Sequence, residues 1–139
     1  MVLPGILVFL VSVELQNIFM GKFLGDLNLR WVGVINKTVI WELLTPLSYI
    51  TNSNITIIVP IGFRTDLASI PRILWVFLPP DWKYTKAAII HDYLLENSDL
   101  STQQINRIFQ DGMTDLNVNN QINWLMFNAV CFWFWLKKI

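Results

Sequence analysis

The chain is poor in several of the things that define common protein classes. Cys131 is its single cysteine among 139 residues, so no intrachain disulfide can form and a disulfide-stapled scaffold is excluded. Charged residues make up 14%, against roughly 25% in an average soluble protein. The 10 basic and 10 acidic side chains cancel, so the surplus of Lys and Arg that a nucleic-acid binder uses is missing. There is one histidine, His91. No Gly-rich phosphate loop and no dinucleotide fingerprint occur. Intrinsic disorder needs low hydrophobicity with high charge, and 54% of these residues are apolar.

Aromatic side chains are what the chain has in excess. At this length a folded chain buries about two-thirds of its unfolded surface, which is enough for a core. Seven Trp and nine Phe exceed what one small core hides. Some of them should lie on a surface covered by a partner or a membrane. Zero net charge also removes a guard against self-association. The expected partners are other subunits, a second copy or a membrane surface, and not nucleic acid.

Two long apolar runs stand near the ends, at residues 2–13 and 122–136. The first has about 12 residues and the second about 15, both short of the ~20 that span a bilayer. No Lys or Arg precedes the first run, so the basic region of a secretion signal is missing. The second run contains Asn123 and Asn128, which are costly in lipid unless satisfied. Both runs fit a buried or interfacial helix, with membrane contact as the alternative to a protein interface. At Met20 the pattern changes from continuous apolar to mixed. Residues 1–19 therefore read as an apolar extension ahead of one domain over residues 20–139.

Short apolar runs separated by turn residues fill the first half of that domain. Residues 29–34, 38–43, 47–50 and 55–59 read as strands, with turns at Asn36-Lys37 and at residues 51–54. This spacing predicts an antiparallel meander. From Lys83 the period becomes helical: Tyr84, Ala87, Ala88, His91 and Leu95 share one face. Ser101 with Gln104 three residues on is a capping-box signature for the next helix. Ile105, Ile108 and Phe109 are its apolar face, and Gly112 reads as its stop. A last helix is expected from about Gln121. Strands first and helices second predict an α+β fold, a small antiparallel sheet packed by about three C-terminal helices.

The sparse polar side chains concentrate between residues 62 and 92. Asp66, Ser69 and Arg72 lie in the first cluster, and His91 with Asp92 in the second. Asp66 follows a strand and precedes a possible short helix near Ser69 or Pro71, a corner where side chains from different elements converge. His91 and Asp92 adjoin on a helix, about 100° apart, so they face different neighbours. One reading makes His91 a general base with Asp66 and Asp92 orienting the ring, Arg72 binding an anion and Ser69 a nucleophile. Each has a plainer reading: a helix cap for Asp66 and Ser69, a salt bridge for Arg72, a buried polar network for His91 and Asp92. Asp66, His91 and Asp92 also form a donor set suited to several divalent metals, whereas one His without a Cys cluster argues against structural zinc. The Asn-x-Thr triplets at Asn36 and Asn54 are the kind that arise by chance.

Together the two clusters resemble the phage- and prophage-associated domain of unknown function 1353. That pattern is Gly-Phe-x-Thr-Asp-x-Ala-Ser-x-Pro-Arg followed, some 15 to 20 residues later, by His-Asp-x-Leu. Here the first part runs from Gly62 to Arg72 and the second from His91 to Leu94. The family pattern has Ala-Asp before an Arg in the third helix, where this chain has Ile105-Asn106-Arg107. Asn106 can accept a hydrogen bond but cannot supply the charge, which favours a structural network over a metal site. The resemblance implies a phage origin without an established activity. Three readings follow: a tail-associated structural or accessory virion component, a cell-envelope hydrolase, or a membrane-associated factor acting in the host.

Overall fold

The computed structural model describes residues 21–67 and 83–138. The expected extension, the short helix near Ser69 and the site candidates Ser69 and Arg72 lie outside the described residues.

The fold is α+β, with strands in the first half and helices in the second. Six strands are described: β1 Lys22–Leu24, β2 Leu29–Ile35, β3 Thr38–Leu43, β4 Leu47–Ile50, β5 Thr56–Val59 and β6 Arg64–Thr65. The helices are α1 Thr85–Asn97, α2 Thr102–Asp115 and α3 Asn120–Lys137. The predicted meander divides into two antiparallel sheets, ordered β1-β4-β5 and β2-β3-β6. The division falls between β3 and β4, at Pro46, whose ring leaves no backbone donor to continue a ladder. Leu43 turns instead to the Phe63 backbone and Leu44 to the Asn28 carbonyl.

The β2–β3 hairpin closes on Asn36 and Lys37, with φ of 51° and 66°. Two consecutive left-handed residues are what a tight two-residue hairpin needs, and Asn tolerates that region better than most side chains. Within β2 the register slips between Trp31 and Gly33, a bulge that leaves Val32 without a partner in β3. β4 joins β5 through the longer loop 51–55, closed by the Thr51 amide on the Ile55 carbonyl, with Asn54 alone left-handed (φ 64°).

The expected helices form, and their ends follow the caps. Ser101 and Gln104 make the full capping box, and Asn119 accepts from the Gln121 amide to start α3. Gly112 does not stop α2, which runs on to Asp115. A Cβ there would sit 3.3 Å from both the Ala87 side chain and the Phe23 ring. The glycine is needed because α1 and β1 press against that point of α2. α1 is the most buried helix: Ala87, Ala88, Ile89, Ile90, His91 and Leu94 are all buried. With Leu43, Leu47, Tyr49, Val59, Phe109 and Met126 they form the core. Burying each large apolar side chain contributes about 1.5–3 kcal/mol.

Candidate functional site

The two polar clusters meet where β6 runs into α1. Arg64 and Thr65 are the whole of β6, held to β3 by the pairs Glu42–Arg64 and Trp41–Thr65. The Thr65 hydroxyl donates to the Asp92 carboxylate and accepts from the Leu67 amide at 3.0 Å. One hydroxyl thus ties strand, loop and helix. The loop is bent to make this possible. Leu67 has φ +56°, a region that costs an ordinary side chain roughly 1–2 kcal/mol. Burial of its side chain and the Thr65 hydrogen bond hold it there.

The 100° between His91 and Asp92 sends them to opposite neighbours. Asp92 faces the strand. His91, fully buried, faces the other two helices: its ring lies 5.1 Å from Phe109 of α2 and 5.6 Å from Phe134 of α3, between centroids. Its Nε2 is 2.7 Å from Oδ1 of Asn106. An amide oxygen only accepts, so Nε2 is the protonated nitrogen. The Asn106 amide nitrogen points on to the Cys131 sulfur at 3.7 Å. On the other side of the ring, Nδ1 is 4.0 Å from the Asp92 carboxylate, beyond hydrogen-bond range. The residue standing where the resemblance has an acid thus accepts a hydrogen bond from the histidine.

Asp92 and Asp66 line one open cleft of about 320 Å³, together with Arg64, Thr65, Glu96 and Lys137. Trp133 and Phe134 form its aromatic wall. Of the sequence candidates, Asp66 and Asp92 share this cleft and His91 lies behind it among the helices. Asp66, His91 and Asp92 were also the expected metal donors. Among the described residues no group of three or more His, Cys, Asp or Glu side chains is placed to hold a metal ion. Thr65 and Asn106 join the network through neutral side chains. Thr65 lies inside the first motif and Asn106 at the acid position of the family pattern in a later helix, so their places in the sequence were the only signal for them.

A second polar node closes the far side of the core. The buried Tyr49 hydroxyl donates to Asp115. Burial, reinforced by that hydrogen bond and the Asp115 charge, raises the phenol far above its ordinary range. Burial likewise raises the Asp111 carboxyl, with Arg107 pulling the other way.

These observations define a small α+β domain whose His-Asp helix is buttoned to a strand on one side and to a second helix on the other. The chain matches the family described as "Protein of unknown function (DUF1353)" over residues 41–130, and it belongs to that family. It is also 40% identical over 57 residues to "Uncharacterized protein y4jT" of Sinorhizobium fredii. That match covers 40% of this chain and 17% of the relative. No solved structure matches the chain.

Proposed function

We propose that this chain is a structural or accessory component of a bacteriophage particle, tail-associated, that works through protein contacts. The observation that carries the reading is the side of β2 that has no strand partner among the described residues. This seven-residue strand is at the edge of its sheet, and Trp31, Val34 and Ile35 stand exposed along it. Val34 is 61% exposed. An exposed apolar edge is a template for an added strand, and β2 carries the Trp31–Gly33 bulge and Arg30 as partial guards against it. The zero net charge and the phage origin that the resemblance implies agree with a life inside an assembly. Mass spectrometry of density-purified particles tests the reading. The chain is expected at stoichiometric level, and its confinement to infected-cell lysate would overturn the proposal.

A hydrolase acting on the cell envelope is the second reading. The cleft that brings Asp66 and Asp92 together beside Arg64 and Lys137 favours it. In that case the full chain would release soluble fragments from purified cell walls, and Asp92→Asn would abolish the release while keeping the fold. No release by the wild-type chain would remove this reading.

A further inference from the structure

A groove of about 640 Å³ runs between α2 and α3 and shares Phe134 with the Asp92 cleft. Small-molecule sites have volumes of roughly 300–1,000 Å³. Its walls are aromatic, from Phe127, Phe132 and Trp135, with Cys131 among them. Its charges are of one sign. Arg107 and Lys138 line it, and no described Asp or Glu does. The Asp92 cleft differs, setting three carboxylates beside Arg64 and Lys137.

Arg107 lies over the Phe127 ring, 5.7 Å from its centroid, and its Nη1 donates to Gln110 at 3.3 Å. Its charge reaches Asp111 one turn on, but no ion pair joins the two. Most of the five guanidinium N–H groups are thus left for another acceptor. The neighbouring Asn106 also lines the groove and is only 4% exposed. Its Oδ1 is taken by His91. Its Nδ2 carries two hydrogens, and the one contact described for it is the Cys131 sulfur, a weak acceptor at 3.7 Å. Buried donors are ordinarily satisfied, so this amide and the guanidinium beside it suit an acceptor supplied from the groove.

We propose that the α2–α3 groove binds a small organic anion, a carboxylate with an apolar body. The carboxylate accepts from the Asn106 amide and the Arg107 guanidinium, and the apolar body lies along Phe132 and Trp135. Lys138, just past α3 and about 16 Å along it from Phe127, adds positive potential at the other end. This inference is independent of the β2 edge, of the particle reading and of the Asp92 cleft.

The experiment is calorimetric titration of the full chain with octanoate, and with octan-1-ol, which has the same apolar body without the charge. Octanoate is expected to bind at one site, at least about tenfold tighter than the alcohol, because hydrogen bonds to a charged group are the stronger ones. Bound octanoate should slow alkylation of Cys131, the chain's single thiol, by iodoacetamide. Asn106→Asp keeps an acceptor for His91 but replaces the donor with a negative charge, and should abolish octanoate binding. Arg107→Gln should weaken it about tenfold or more. Lys138→Gln, at the surface, should weaken it about two- to fivefold. Arg107 is exposed, so its variant keeps the test open should Asn106→Asp fail to fold. A chain that does not bind octanoate would overturn the proposal. So would equal binding of the alcohol, which means apolar partition alone. Unchanged affinity in Arg107→Gln, or bound octanoate that leaves Cys131 alkylation at its free rate, would place the ligand elsewhere and overturn it as well.

Discussion

The inner and outer surroundings of the helices use unlike chemistry. Around His91 every contact described is inward: Asn106 from α2, the rings of Phe109 and Phe134, and Asp92 leading to Thr65. On the outer side of α3, and along β2, large apolar side chains face outward, and the stacked pair Phe132–Trp135 is between neighbours on one helix. The polar residues are spent holding the fold together, while the apolar ones are left for contact with something else.

Variants can break this contrast. The largest effect is expected from Phe109→Ala, which empties space beside His91 in the core. It should cost about 3–5 kcal/mol, read from urea unfolding. Asn106→Leu comes next, because it leaves a buried ring N–H without an acceptor. A loss of about 1–3 kcal/mol is expected, and Asn106→Asp, which keeps an acceptor, should lose less. If the leucine variant matches wild type, the Asn106 contact is not holding the helices.

The Tyr49 node offers a pH test on the opposite side of the core. Its phenol is raised in the fold above the unfolded value near 10. The raised value contributes stability that is fully present below about pH 10 and is lost as pH climbs beyond it, because the unfolded chain then releases the proton first. Melting temperature should therefore fall above about pH 10 more steeply in wild type than in Tyr49→Phe. Parallel curves would show that the phenol does not titrate with unfolding. The smallest effect belongs to the outer faces: Trp124→Ser should change stability by no more than about 0.5 kcal/mol. A larger loss would mean that Trp124 is covered within the chain.

Much of this was legible from local pattern. The capping box at Ser101, the hairpin turn at Asn36-Lys37 and the helical period through His91 are short-range signals, and the structure has all three. Long-range choices were not legible. The split into two sheets depends on β6 pairing with β3 across more than twenty residues, and two residues are too short to show a period. Gly112 read as a stop because a sequence does not show that Ala87 and Phe23 will press against it. In the site, the motifs brought out His91, Asp92 and Asp66, whose residue types announce chemistry. Which neighbour each meets was hidden, since a 100° step between adjacent helical residues says they part without saying towards what. Asn106 stood out only through the family pattern, and Thr65, neutral and inside the motif, carried no charge to attract notice.

The central claim, that the molecule works through its outward apolar surfaces, is tested most directly at the edge of β2. Val34→Lys puts a charge on that edge without touching the His91 contacts. The account predicts a chain with unchanged melting temperature that is missing from purified particles in which wild type is stoichiometric. A folded Val34→Lys chain that enters particles as well as wild type would contradict it.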